Sequence, residues 1–362
     1  MNTNTTIKFT VSLLTTLLCS ATALAQTPAT SGPGLQAPRD ARYAEHIAAN
    51  CKIPPPPAAP FTPRAPATAP PPHRDYTVKA IAGVVEAGQI WTTVWTGTGN
   101  NADGPVATRD GGVLFAQNSD SKVMKLDAQG RVSFPVSDTN TGGALSRNKQ
   151  NALFIVQRGL PQEIWQLEPK RVRLAHEFQG QPLDCTGGLL NDLTADSKGG
   201  VYFTMGGVYH ADAKGVVTRQ GTLTGANGII LSRDEKTLYV TGRLASTPAP
   251  GPLPPGTRPG GLVAYDVQAD GSLTNERQFV LAGDDGSAVD AQGRIYSTGG
   301  AGVQVLAPSG QVLGEIASPL PLITVMFAGK DKKTLYGVAN TQQFVEIFTL
   351  PMLAQGYMGR AK

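Results

Sequence analysis

Four stretches of the chain place a carboxylate or an amide just ahead of a short apolar run: Asp103 in ADGPVATRDGGVLFA, Asn191 in LLNDLTADSKGGVYFT, Asn227 in GANGIILSRDEKTLYVT and Asp285 in DDGSAVDAQGRIYS. Two carboxylates and two amides make a set of oxygen donors. Such a set suits a hard divalent cation such as Ca²⁺, with Mg²⁺, Mn²⁺ or Zn²⁺ as alternatives, although Zn²⁺ favours His or Cys. The four histidines, His46, His73, His176 and His210, follow no ligand spacing. No G-x-S-x-G elbow, CxxC pair or phosphate-binding Gly-rich loop occurs either. Taken singly, an Asn or Asp beside Gly is as well explained by turn chemistry as by ligation. Asp196, Asp234 and Asp290 read as turn residues. Asp192 is open between loop chemistry and a hydrogen-bond acceptor that supports the site.

The elements that must position these groups are short strands. Runs such as GVLFAQ, ALFIVQ, GVYFT, TLYVTG, RIYST and TLYGVA are separated by turns such as DAQG, DSKGG and SRDEK, and amphipathic helix is almost absent after residue 76. Units open near Asp103, Gly142, Asn191, Asn227, Asp285 and Thr324. Asp103 and Asn191 lie 88 residues apart, two units of 44, while the 58 residues from Asn227 to Asp285 include a proline-rich insertion, RLASTPAPGPLPPGTRPGG, at 243–261. A period of roughly 40–45 residues per four strands is that of a β-propeller. The expectation is therefore an all-β, six-bladed propeller over 76–352, in which the β segment at 77–97 supplies an outer strand to the last blade. In that architecture the strand-opening residues Asp103, Asn191, Asn227 and Asp285 converge at one mouth of the central channel. The insertion rises around the same mouth.

The first 25 residues read as an export signal, with Lys8, an apolar core around VSLLTTLLC and Ala23-Leu24-Ala25 as the cleavage site, which places the protein in the periplasm or outside the cell. No segment approaches the ~20 apolar residues of a membrane span. Residues 26–75 form an N-terminal extension with a Pro/Ala-rich linker, preceded by a helical stretch at 39–51, and 353–362 read as a C-terminal tail. The formal charge of +4 falls to +3 without Lys8, and the basic residues are scattered, which argues against a nucleic-acid partner. Cys51 and Cys185 remain after cleavage, either as a disulfide or as two thiols. Oligomeric state is not legible.

The four quoted stretches, in their order and spacing, resemble the site-bearing segments of the senescence marker protein/gluconolactonase/luciferin-regenerating enzyme family, over about 100–345. The resemblance implies a six-bladed propeller with one axial divalent cation, commonly Ca²⁺, and hydrolysis of lactones. It implies Asp103, Asn227 and Asp285 as metal ligands, Asn191 as a ligand or substrate contact, and Asp285 as the proton-transfer residue. Asp285 is also the carboxylate suited to this task, because amides cannot act as bases at neutral pH; Gly286 after it leaves room for metal and substrate. Two departures stand out. The first motif begins Asp103-Gly104-Pro105 where the family has Glu-Gly-Pro, one methylene longer. The second unit reads TNTGGALS, without a polar residue before its Gly. Arg158, on the loop that follows, reads as a solvated loop arginine or as one that faces an acidic substrate. The expected function is metal-dependent hydrolysis of a small lactone or related carboxylic ester, the alternative a non-catalytic propeller that keeps the cation to bind a sugar or other small ligand.

Overall fold

In the computed structural model, described for residues 1, 35–56, 65–247 and 260–359, the turn chemistry of the repeat is visible residue by residue. The Oδ1 of Asp127 accepts N–H bonds from Gln129 and Arg131, both 2.9 Å, and closes the outer turn of its unit. Asp196 does the same for Lys198 and Gly200, Asp212 for Lys214 and Val216, and Asp290 for Gln292 and Arg294. An aspartate that takes two backbone N–H groups reverses the chain tightly and holds the two strands in register.

Six four-stranded antiparallel sheets result. Blade 1 runs Asp103–Ala107, Val113–Gln117, Lys122–Leu126 and Val132–Val136; blade 2 runs Gly142–Arg147, Leu153–Gln157, Glu163–Glu168 and Val172–Ala175. Blade 3 is Leu193–Ala195, Val201–Thr204, Val208–Ala211 and Val217–Gln220; blade 4 is Ile229–Leu231, Thr237–Thr241, Leu262–Val267 and Leu273–Val280. Blade 5 comprises Ser287–Val289, Ile295–Gly299, Gly302–Leu306 and Val312–Ala317, and blade 6 comprises Thr324–Ala328, Thr334–Asn340 and Phe344–Pro351. The fold is thus a six-bladed β-propeller. Its outermost sixth-blade strand is Thr92–Thr98, paired antiparallel with Phe344–Pro351, so the ring is closed by chain from before blade 1. Only this part of the 77–97 segment is a strand. The stretch before it carries an isolated Ile81–Val85 bridge and buries Val78, Val84 and Trp91 against blades 5 and 6.

The core lies between blades rather than within one. Phe154, Phe203 and Tyr209 join blades 2 and 3, and Tyr202, Leu231 and Tyr265 join blades 3 and 4. At roughly 25 cal/mol per Å² of apolar surface, these inter-blade faces are the main stabilising contribution. Two regions expected to lie outside the domain pack onto it. After residue 352, Ala354 is buried, and Gly356 donates to the Lys332 carbonyl and bridges to Asp290. Ahead of the linker, a 3₁₀ turn at Ala37–Arg39 and a helix at Tyr43–Asn50 lie on the body of the protein. The Cys51–Cys185 disulfide fastens this segment to the approach to blade 3. The expected export signal, apart from Met1, and most of the 243–261 insertion fall outside the described residues.

Candidate active site

Inner strands of neighbouring blades approach one another closely at the mouth, which explains the glycine that follows three of the four site residues. A Cβ on Gly104, at φ +43°, would stand 2.2 Å from the Ala144 Cα; one on Gly228 would stand 2.4 Å from the Asp285 carbonyl oxygen. On Gly286 it would meet the Thr324 Oγ1 at 2.3 Å. The sequence expectation that Gly286 leaves space for metal and substrate is corrected here: the space belongs to blade 6. Asn191 is followed by Asp192 instead of glycine. That carboxylate accepts from its own strand at Leu193 N–H, 2.8 Å, and from the next blade at Ile229 N–H, 3.0 Å. Asp192 therefore ties blade 3 to blade 4 directly behind the site.

Asp103, Asn191, Asn227 and Asp285, from blades 1, 3, 4 and 5, all line one polar cavity of about 470 Å³ at the channel mouth. Asn191 donates through Nδ2 to the Asn227 Oδ1. The Asn227 carbonyl accepts from Thr204 Oγ1 at 2.6 Å, and the Asp285 carbonyl from Thr241 Oγ1 at 2.6 Å, so a hydroxyl from the second strand of blades 3 and 4 holds each opening residue of the following blade. Burial pushes the Asp285 carboxyl up to about 8; the negative charges of Asp103 and Asp192 add to this, against a hydrogen bond from Asn227 and the more distant Arg158 charge.

Arg158 is not a solvated loop residue. Its side chain is 4% exposed, its Nη1 donates to Asp103 Oδ2 at 2.7 Å, and its Nε to the Leu190 carbonyl at 3.0 Å. Its Nη2 reaches both the carbonyl and the Oδ1 of Asn191. The guanidinium lies over Gly143, where a Cβ would come within 2.3 Å of Nε. The missing polar residue of blade 2 thus has a physical reason: Arg158 fills that sector of the mouth, and only glycine leaves it room. Asp103 has both oxygens engaged, Oδ1 by the Gly104 N–H at 2.8 Å and Oδ2 by Arg158.

None of the four histidines lines this cavity. His73 pairs with Glu346 at 2.9 Å and His210 with Asp196 at 3.1 Å, both away from the mouth. Among the described residues no group of three or more His, Cys, Asp or Glu side chains has metal-holding geometry. The mouth set is half amide and falls outside that class. Its chemistry nevertheless suits a hard cation: Asp285 is a carboxyl crowded by two other carboxylates, the amide oxygens of Asn191 and Asn227 belong to the same mouth set, and a positive ion would relieve that crowding. The sequence reading missed Gln36 and Arg39, which line the same cavity from the N-terminal segment. Asn340 was missed too; its Nδ2 donates to Asn100 Oδ1 at 2.7 Å at the rim. No helix among the described residues is long and apolar enough to cross a membrane.

A family model described as SMP-30/Gluconolactonase/LRE-like region matches residues 143–340, more than half of the chain. The lactonohydrolase oryH of Aspergillus oryzae is 32% identical over 133 residues, which is 33% of this chain; the chain spans only 28% of that relative's length. A gluconolactonase from Xanthomonas campestris superposes with a TM-score of 0.60 at 22% identity, over 81% of this chain and 98% of that one. The calcium-binding protein regucalcin from Agrobacterium tumefaciens gives 0.57 at 19% identity, over 74% of this chain and 95% of its own. At these identities the two structural likenesses are likenesses of fold.

Proposed function

The chain belongs to the SMP-30/gluconolactonase/LRE-like family, and from that premise we propose that it is a lactone hydrolase whose reaction takes place at the mouth cavity. The observation that carries the reading is the convergence of Asp285, Asn227 and Asn191 on one cavity, with the Asp285 carboxyl pushed up to about 8. Asp285 and Asn227 would hold a divalent cation, Ca²⁺ foremost, with Asn191 alongside. When bound, the cation would supply Lewis-acid polarisation of the lactone carbonyl. Asn191 and Asn227 orient the substrate, and their mutual hydrogen bond fixes which amide atoms face the cavity. In its ionised form, which a bound cation would favour, Asp285 takes the proton of the attacking water at its carboxylate oxygen, and returns it to the ring oxygen as the acyl–oxygen bond breaks. Arg158, fixed by Asp103 and Asn191, supplies positive charge next to the developing carboxylate product. We place the enzyme in an oxidising compartment, periplasmic or extracellular, on the strength of the Cys51–Cys185 bond together with the export signal at residues 1–25.

One observation favours a second reading. With both Asp103 oxygens engaged, the carboxylate expected as a metal ligand serves the arginine, so the site could bind ligands without turning them over. Calorimetric titration of the wild type with Ca²⁺, followed by a neutral and acidic lactone panel with and without the ion, separates the two. Stoichiometric Ca²⁺ binding lost in Asn227→Ala, with metal-dependent turnover, supports the hydrolase. Binding without turnover of any lactone supports the non-catalytic reading, and no divalent-ion binding at all removes the cation from both.

A further inference from the structure

The segment 35–56 forms a strap on the mouth face, where the Ala37 N–H donates to the Arg158 carbonyl at 2.7 Å and Thr141 Oγ1 to the Leu35 carbonyl at 3.1 Å. The opposite end of the channel is built from the turns that follow the inner strands, at 108–112 in blade 1, 148–152 in blade 2 and 329–333 in blade 6. An inner strand such as Asp103–Ala107 spans roughly 15 Å at about 3.3 Å per residue, so these turns stand well away from the mouth. Each is closed by a backbone bond: Gly111 N–H to the Thr108 carbonyl at 3.1 Å, Asn151 N–H to the Asn148 carbonyl at 3.0 Å, and Lys332 N–H to the Gly329 carbonyl at 3.1 Å. The turns of blades 1 and 6 touch. A Cβ on Gly111 would stand 3.1 Å from both the backbone nitrogen and the Cγ of Lys330.

Between the three turns lies a cavity of about 200 Å³ whose wall includes Arg109, Arg147, Lys149, Lys330 and Lys332, with no carboxylate among the described residues that line it. The acidic side chains nearby are turned to other partners. Asp110 takes Lys125 and the Thr108 hydroxyl. Glu168 takes Arg147 Nη1 at 2.7 Å. Glu235 takes Lys149 Nζ at 3.1 Å, together with the Ser197 N–H at 3.0 Å and its hydroxyl at 2.7 Å. Lys332 is committed as well, with Nζ donating to the Tyr357 carbonyl at 2.7 Å. That leaves Arg109 and Lys330, both exposed, neither in an ion pair with a described residue, on the two turns that touch. Their charges repel where blade 1 meets the blade that closes the ring.

We propose that this cavity is an anion site separate from the mouth, and that it takes a phosphate group between Arg109 of blade 1 and Lys330 of blade 6. Size, donor geometry and charge each select that ligand. A volume of about 200 Å³ is below the roughly 300–1,000 Å³ of a pocket for a drug-sized molecule, so the site admits a small anion or a single phosphate group rather than a whole nucleotide. The planar fork of arginine takes two oxygens in parallel, and the lysine ammonium is a mobile point charge for a third. A phosphate group presents three such oxygens and close to two negative charges, whereas a carboxylate presents two oxygens and one charge. The anion offsets the repulsion between the two cations and ties blade 1 to blade 6, so its binding stabilises the ring. Free phosphate and a phospholipid headgroup share this chemistry.

The test is calorimetric titration with inorganic phosphate, in chelator and at low ionic strength, of wild type, Arg109→Gln, Lys330→Gln, the double variant and Asn227→Ala. Wild type should bind one phosphate with a Kd on the order of 0.1–1 mM. Each single variant should weaken binding by roughly 5–20-fold, and the double variant should abolish it. Asn227→Ala should bind as wild type does, which sets the anion apart from the mouth. Thermal melting supplies a second readout: phosphate at fixed ionic strength should raise the melting temperature of wild type and leave that of the double variant unchanged. No saturable binding by wild type, equal affinity in the double variant, or a loss in Asn227→Ala each overturns the proposal. Cosedimentation with phosphatidylglycerol vesicles separates the two sources of the group. Capture that the double variant loses assigns a lipid headgroup, and no capture assigns a free phosphate; capture without any binding of inorganic phosphate overturns the site.

Discussion

Replacing Asp285 by Asn should make the metal-free protein more stable, even though it removes the proposed proton-transfer residue. The carboxyl is pushed from an ordinary 3.8 up to about 8 in the folded chain, first by burial and then by Asp103 and Asp192. The folded state therefore holds a proton that the unfolded state has released. Stability from this group is complete below the unfolded value and drains away as pH rises toward the folded one. At pH 7 the part of the gap already crossed would correspond to roughly 4 kcal/mol, at 1.36 kcal/mol per pH unit above the unfolded value. Asp285 is partly open to the mouth, so solvent screening reduces this to about 2 kcal/mol, with about 1 at pH 5 and about 3 at pH 9. Asparagine keeps the shape and the Asn227 contact without the ionisation. For a domain of this size that is a rise of roughly 4–8 °C in melting temperature near pH 7.

The assay is thermal melting of wild type and Asp285→Asn in chelator at about pH 5, 7 and 9, repeated with saturating Ca²⁺. Without the ion, the advantage of the variant should grow with pH. With the ion, the order should reverse, because only the wild type can use its carboxylate to bind. A variant that is no more stable than wild type at pH 9 in chelator, or a difference that does not change with pH, would refute the reasoning that the mouth holds an under-compensated carboxylate.

Asp192→Ala removes the acceptor of the Leu193 and Ile229 N–H groups and should cost roughly 2–4 kcal/mol, with faster amide exchange at Ile229 as the local signature. Asp192→Asn should recover only part, since an amide offers one oxygen to two donors. Cys51→Ser together with Cys185→Ser opens a crosslink across 134 residues, worth at most about 5 kcal/mol by chain entropy and more realistically 2–4. The melting temperature should fall by that measure, and limited proteolysis should cut within 35–56. A strap that stays protected would mean its hydrogen bonds alone hold it.

The fold was legible because it is written locally and repeated. An Asp that takes two N–H bonds, a glycine and short apolar runs recur from Asp127 to Asp290, and each unit needs only its neighbours to be complete. The mouth residues were legible for the same reason, since a strand-opening residue in a ring has only one place to be. Arg158 was legible only as one of two readings, because nothing in a loop arginine shows that a glycine on the preceding strand has been left empty for it. Only the pairing of Gly143 with Arg158 across the blade makes the absence of a polar residue there meaningful.

The strap was hidden by composition. A segment of Ala, Pro and a short helix ahead of a proline-rich run resembles a linker, and its burial depends on contacts 100 residues or more away in sequence, such as Thr141 with Leu35. One signal was present: Cys185 stands six residues before Asn191, so any bond from Cys51 must bring the extension to the entrance of blade 3. A disulfide read only as a sign of compartment loses that information. Read as a distance, it places residues 35–50 within reach of the mouth before any coordinates are known. The same bond thus also fixes part of the cavity wall, where Gln36 and Arg39 stand. That arrangement suits a small mouth on a propeller, where the blades supply the floor and an added segment must supply the side.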